Sequence, residues 1–381
     1  MKSLAAVGFW MISVLVLGRT VAAEIQVISG RAMGTSYTLK LASVSETTSV
    51  DEASILVKDE LERIEAIFSL YRPESELSRW NQAKSNEWIE VSDDLYLVCQ
   101  FAIELSRETD GAFDATIRPI LKLWQLDSLS PSWSPPSPDA IEECKKRIGY
   151  DKIELQTRPR AILKRNDSIQ LDLNALVEGW AIDRIVSLLA ARGFHNALFE
   201  LGGEFGCLGK PTESTKWRVG IEDPRSISRL ISKVHLSSES LCTSGSTKQG
   251  REHNGNRYTH ILDSRTGRPI DHDLVAVSVL HPNAMMADGW STALLVMGPK
   301  EALAIAELKG LAVGFVRVTH NEIQVNCSAN ATDRFQIVSA QSIAARWPTT
   351  ASWPNRVLWV MTVFAILGFV IKIAMRGRRR P

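Results

Sequence analysis

The sequence predicts a mixed α+β body carrying an apolar segment at each end. Three observations lead there. Short strand-like apolar runs are interleaved with longer segments of helical spacing, and no internal repeat is present. Hydrophobic content of 45% and charged content of 23% are those of an ordinary globular protein. The 381 residues are enough for one large domain or two ordinary ones, and the interleaving favours a single body. The formal net charge of +1 gives no argument for a nucleic-acid partner.

The elements follow in order. Residues Ile25 to Leu41 read as a strand pair broken at Met33-Gly34-Thr35. Val50 to Phe68 reads as a helix, its apolar positions being Ile55, Leu56, Leu61, Ile64 and Ile67. Leu95 to Thr109 is a second helix, stopped by Asp110-Gly111. Ser130 to Pro138 is proline-rich and reads as a surface loop. Ile153 to Leu155 and Ile169 to Leu173 look like strands. Leu176 to Arg192 is the clearest helix, with a stripe of Ile182, Ile185, Val186 and Leu189 and a closing Gly193. Ala197 to Leu201, Trp217 to Ile221, Ile231 to Leu236 and Val275 to Leu280 follow as strands. A helix over 285–297, another over Lys300 to Leu308, and a hairpin of Leu311 to Val318 with Glu322 to Val325 complete the body.

The two ends suggest export. Lys2, an apolar run from Leu4 to Leu17 and the small-residue stretch Thr20-Val21-Ala22-Ala23 have the form of a signal peptide over residues 1–23, cut after Ala23. Residues 357–375 are almost wholly apolar and read as a transmembrane helix, with Trp353 and Trp359 at its front. Arg376, Arg378, Arg379 and Arg380 make 376–381 a basic tail, which the positive-inside rule keeps cytoplasmic. The expectation is a catalytic body, residues 24–345, on the periplasmic face of a bacterial inner membrane. The cysteines Cys99, Cys144, Cys207, Cys242 and Cys327 form no CxxC pair, so zinc and iron–sulfur ligation lack support. They read mostly as small core residues.

The most informative stretch is Ala287-Asp288-Gly289-Trp290-Ser291-Thr292. On a helix, Asp288 and Thr292 stand four apart and share a face. A carboxylate and a hydroxyl aimed together, with Ser291 nearby, suit an oxygen-seeking cation such as Mg²⁺. The competing reading makes Asp288 a helix cap and turns Thr292 back onto its own backbone. His260 precedes an Asp-x-x-Thr-Gly turn and suits an acid/base or phosphate-contacting role. Glycine-bearing turns at Gly34, Gly111, Gly202-Gly203 and Gly245 would let backbone amides approach a ligand. GxGxxG after a first strand, a P-loop and a Gly-x-Ser-x-Gly elbow are all missing.

Taken in order, Met33-Gly34-Thr35, Gly111-Ala112-Phe113-Asp114-Ala115-Thr116, the stretch from Asp172 to Asp183, Gly202-Gly203-Glu204, Thr243-Ser244-Gly245, the stretch from His260 to Gly267, and Ala287 to Thr292 resemble the bacterial FAD:protein FMN transferases, the ApbE family. The resemblance runs from about Ile25 to about Ser339. It implies a single T-fold-like, ApbE-type domain, FAD as substrate and Mg²⁺ as metal. It also implies transfer of FMN to a threonine or serine of a target protein with release of AMP. By the same resemblance, Asp288, Thr292 and the Val177 carbonyl hold the metal, with Ser291 assisting. Flavin contacts fall on Met33, Tyr71, Ala112, Phe113, Asp114, Asn174, Trp180 and Leu262, and the catalytic residues are His260 and Asp288. Two positions depart from the family pattern: Glu178 stands where many members have lysine, and Ser264 where proline is usual. A membrane anchor would suit an exported or membrane-bound acceptor, such as an electron-transfer subunit. The same site would also serve an FAD pyrophosphatase with water as acceptor, and an FAD-binding membrane-tethered carrier would need no metal pair.

Overall fold

A computed structural model describes residues 25–42, 49–126, 132–247, 249–319, 322–338 and 342–344. The expected signal peptide (1–23), transmembrane helix (357–375) and basic tail (376–381) lie outside them. Among the described residues no helix is long and apolar enough to cross a membrane. The described residues up to Ile343 belong to one compact unit, and a second begins at Ala344.

The chain opens with hairpin β1 (Ile25–Ala32) and β2 (Thr35–Ala42), turning at Met33 and Gly34. Both turn residues have positive φ, 52° and 76°, the mirror-image turn that matches strand twist. Helix α1 (Val50–Phe68) starts where the Ser49 hydroxyl accepts from the amides of Asp51 and Glu52. Then come α2 (Glu76–Gln82), β3 (Ile89–Glu90), α3 (Asp93–Glu108), α4 (Arg118–Trp124), α5 (Pro138–Lys145), β4 (Ile153–Thr157) and β5 (Arg160–Lys164). Helix α6 (Asn174–Ala191) leads into β6 (Ala197–Leu201), β7 (Glu204–Leu208), β8 (Trp217–Asp223), β9 (Ser226–Leu236) and β10 (Ser240–Gly245). Two small hairpins follow, β11 (Gly250–His253) with β12 (Asn256–Thr259) and β13 (Leu262–Asp263) with β14 (Arg268–Pro269). The chain continues through β15 (Leu274–His281), α7 (Ala284–Lys309), β16 (Ala312–Thr319), β17 (Glu322–Cys327), β18 (Phe335–Ile337) and β19 (Ser342–Ala344).

A nine-stranded sheet, ordered β1-β2-β6-β7-β10-β15-β16-β17-β19, forms the frame. Period-two alternation gives it two buried faces. Leu39, Phe199, Cys242, Val277, Val279 and Phe315 face a large core shared with α1, α3, α6 and α7. Leu198, Leu241, Ala276, Leu280 and Val316 face a second core under the three-stranded sheet β18-β9-β8. The fold is therefore α+β, with the helices on one face of an antiparallel sheet.

One expectation is corrected. Ile169 to Leu173 is not a strand and makes only an isolated bridge, Ile117 to Gln170. The alternation is real, since Ile169, Leu171 and Leu173 are buried. The backbone, however, is satisfied by a side chain: Asn81 accepts from Leu171 N at 2.7 Å and donates to Leu171 O at 3.0 Å. The helices expected over 285–297 and 300–308 are both present, as two helical segments of α7 separated at Gly298 (φ 74°) and Pro299. The cysteines are all free, and Cys99, Cys144, Cys207 and Cys242 are buried.

Candidate active site

The site is built where α6 and α7 meet the ends of β7 and β10. The helices come unusually close because Gly179 has no side chain. A Cβ there would lie 2.5 Å from Ala284 O and 2.7 Å from Met285 Cα, both backbone atoms. Across this contact the Gly179 amide donates to Asp288 Oδ2 at 3.1 Å. The competing reading of Asp288 as a helix cap does not hold. Asn283 caps α7 by accepting from Met286 N at 2.9 Å, and Asp183 of α6 accepts from Ala284 N at 2.7 Å and Met285 N at 2.9 Å. Asp288 is thus free of the helix start and faces α6.

Thr292 does not turn back on its own helix either. Its hydroxyl meets Ser244 Oγ at 2.8 Å, and the same Ser244 oxygen lies 2.7 Å from Ser291 Oγ. Ser291 Oγ donates to the Asp288 carbonyl at 2.8 Å. The structure therefore brings together Asp288, Ser291 and Thr292, and adds Ser244 from β10. Val177 stands in the first turn of α6, two residues before Gly179. Its carbonyl points along that helix, so ligation by it would compete with the helix's own hydrogen bond.

Further carboxylates crowd this junction. Glu204 is buried and accepts from Thr243 N at 2.7 Å. Glu178 lies against Gly202, where a Cβ would meet its carboxylate at 2.5 Å. Burial, then repulsion from Glu178, pushes Glu204 up to about 8. Burial, then Glu200, pushes Glu178 up to about 7, and burial raises Asp183 to about 6. Asp288 is raised well above the usual carboxylate range by burial, then by Glu204 and Glu178. The Cys242 thiol is pushed up in the same way, chiefly by burial, and donates to Ala284 O at 3.4 Å, so it offers no thiolate. Among the described residues no group of three or more His, Cys, Asp or Glu side chains is arranged to hold a metal. The available donor set is one carboxylate with hydroxyls, all oxygen, which fits a hard cation that keeps water or substrate oxygens in its other positions.

The expected flavin contacts occupy several places. Ala112 and Phe113 are buried in the large core, on the loop after α3. Asp114 is engaged within that loop, accepting from Thr116 N at 2.8 Å, Thr116 Oγ1 at 2.7 Å and Tyr150 N at 3.2 Å. Trp180 packs on the large core and its Nε1 is buried with no partner among the described residues. Leu262 belongs to a satellite core with Ile120, Trp124 and Ile141. Asn174 is exposed at the start of α6. Met33 N donates to Glu65, which also pairs with Arg72. Tyr71, beside Arg72, is 90% exposed, so its ring is open to a ligand.

His260 sits at the foot of the β11–β12 hairpin. Its Nδ1 lies 3.2 Å from Gln249 O. A carbonyl only accepts, so Nδ1 carries the proton and Nε2 is left with a lone pair. Burial, and then Arg257, holds the imidazole below its usual range and keeps it neutral. Glu204, Ser244 and Asp183 were not singled out by sequence reasoning, although each lies inside a motif that was. For Glu204 and Ser244 the signal is their position beside the glycines of Gly202-Gly203-Glu204 and Thr243-Ser244-Gly245, and Asp183 closes the stretch from Asp172.

Comparison with known proteins bears on this geometry. The FAD:protein FMN transferase of Haemophilus influenzae is 34% identical over 305 residues, covering 77% of this chain and 87% of its own. That of Escherichia coli K12 is 30% identical over 298 residues, covering 77% and 85%. The solved structure of the flavin transferase ApbE from Vibrio cholerae matches with a TM-score of 0.75 at 30% identity, covering 82% of this chain and 99% of that one. These relatives define the class, an enzyme of the FAD:protein FMN transferase kind. A sequence profile of the ApbE family matches residues 33–315, and the chain belongs to that family.

Proposed function

We propose that this enzyme moves FMN from FAD to a threonine or serine hydroxyl of an acceptor protein, in a Mg²⁺-dependent reaction that releases AMP. The observation that carries this reading is the hydroxyl cluster of Ser244, Ser291 and Thr292 beside Asp288, with the carboxyl groups of Glu204 and Glu178 close by. Ionised, such a carboxylate group repels a pyrophosphate unless a cation is present, and its oxygen donors suit one. Asp288 and Thr292 would hold Mg²⁺, with Ser291 and Ser244 in support. When bound, the ion would neutralise pyrophosphate charge and favour departure of AMP.

The remaining roles belong to the chain's own residues. His260 Nε2 takes the proton of the acceptor hydroxyl as its oxygen forms a bond to the FMN phosphorus. The phosphorus–oxygen bond to AMP breaks, and AMP leaves with the bonding electron pair. The exposed Tyr71 ring offers a face to isoalloxazine or adenine. The unpartnered Trp180 Nε1 offers a donor to a substrate acceptor. The terminal segments support a further reading, an exported body held at the bacterial inner membrane. An anchored enzyme would meet membrane-bound electron-transfer acceptors at raised effective concentration.

The test is to incubate the full-length protein with FAD, Mg²⁺ and an acceptor fragment carrying a candidate threonine, then weigh the fragment. A mass gain of one FMN that EDTA prevents supports the reading. AMP without a modified fragment would point to the pyrophosphatase, and FAD retained with neither product to a carrier.

A further inference from the structure

We propose that Trp133 is a positioning residue for the reaction: it braces the β11–β12 hairpin and so fixes His260 at the hairpin's foot. This rests on His260 being the base.

Among the described residues the β11–β12 hairpin joins no larger sheet. A lone two-stranded hairpin is marginal in water, so its geometry depends on what packs against it. Arg251 and Tyr258 are cross-strand partners, and His253 lies two residues along from Arg251, so the three share one face. All three meet the same indole. Trp133 contacts Tyr258 at 5.5 Å between centroids and His253 at 6.1 Å, both edge-on, and the Arg251 guanidinium lies 5.2 Å from its ring centre.

Trp133 is itself held. It is 9% exposed although it stands in a proline-rich connection between α4 and α5. Its Nε1 donates to Trp124 O at 2.7 Å. Trp124 contacts Tyr258 at 5.8 Å, and its own Nε1 donates to Gly267 O at 2.8 Å. The chain of contacts runs from α4 through Trp133 to Tyr258, two residues before His260. At the neck, Thr259 Oγ1 donates to Ser246 O at 3.0 Å and Ser246 N to Val275 O at 2.9 Å. These bonds restrain the base of the hairpin but not its tilt. The aromatic brace sets the tilt, and with it the direction of the His260 ring.

The experiment uses full-length protein with FAD, Mg²⁺ and the threonine-bearing acceptor fragment, comparing W133A, W133F, Y258L, H260A and the double variant W133A/H260A. Misplacing the base lowers kcat, so W133A and Y258L are expected to lose between about tenfold and a hundredfold in kcat while FAD affinity, read from flavin fluorescence, stays within about twofold. W133F, which keeps a ring, recovers most of the rate. The double variant is no slower than H260A, because the brace acts through that side chain. Unchanged kcat in W133A or, should it fail to fold, in Y258L overturns the inference, as does an equal fractional loss from W133A in the H260A background. Both of those outcomes leave an inactive H260A, and the base assignment, intact. A fully active H260A removes the base assignment and the inference with it.

Discussion

At the residue scale, the proposed metal role asks Asp288 to be an anion in a place that disfavours anions. Burial and the neighbouring Glu204 and Glu178 favour its protonated form, and only the Gly179 amide works the other way. A divalent cation would supply the missing compensation. Asp288→Ala is expected to lower the transfer rate by about a hundredfold to a thousandfold, the scale on which removing one key electrostatic group acts. FAD binding, followed by flavin fluorescence, should survive in weakened form, and full transfer activity in this variant would end the metal assignment. His260 carries a different prediction. Its imidazole is held below the ordinary histidine value of 6.5 by burial and Arg257, so the acid limb of the kcat profile should lie below that value. His260→Ala should remove this limb and lower kcat by about a hundredfold to ten-thousandfold. An acid limb that persists unchanged in the variant would transfer the role elsewhere.

At the element scale, the contact between α6 and α7 decides whether the site exists. Gly179→Ala would push a methyl group into the backbone of Ala284 and Met285. The expected cost is about 1–3 kcal/mol or more, since backbone cannot step aside as a side chain can. The same shift pulls the Gly179 amide away from Asp288, so transfer should fall further than stability alone accounts for. Chemical denaturation and steady-state kinetics on one preparation separate the two effects. Much at this scale was legible in the sequence. Val50 to Phe68 was read from its apolar spacing and its boundaries match α1. The Asp288–Thr292 spacing by itself places both oxygens on one helix face. The Ile169 to Leu173 segment was misread because alternation reports burial, and Asn81 does there what a neighbouring strand would do. The β11–β12 and β13–β14 hairpins went unread, because their polar residues carry no hydrophobic period.

At the scale of the whole molecule, the group of raised carboxylates is expected to link metal, pH and folding. Glu178 and Glu204 titrate at about 7 and about 8 in the fold, against an ordinary glutamate value of 4.5. A carboxyl whose pKa is raised on folding stabilises the fold fully below its unfolded value and loses that contribution as pH rises through the folded one. The metal-free protein should therefore become less stable between about 4.5 and about 8. Saturating Mg²⁺ should flatten that decline, because the cation favours the ionised forms. Thermal unfolding midpoints across this window, with and without Mg²⁺, test it, and a metal-free midpoint that rises with pH would refute it. What the sequence could not reveal was the convergence itself. Glu178, Glu204, Ser244 and Asp288 lie on four separate elements, and only the sheet order and the helix crossing bring them to one point.

Strand β10 places neighbouring residues in opposite service. Ser244 and Cys242 face α7, while Thr243 pairs with Ser278 on the other side. A single inserted or deleted residue within β10 would exchange these faces, turning the Ser244 hydroxyl away from Thr292 and the Cys242 side chain away from the large core. Lineages descended from such a chain can accept length changes at the Asn254-Gly255 tip, which is exposed and touches no part of the oxygen cluster. Within β10 they can accept none, so the hairpin tip is free to vary while the strand is locked in register.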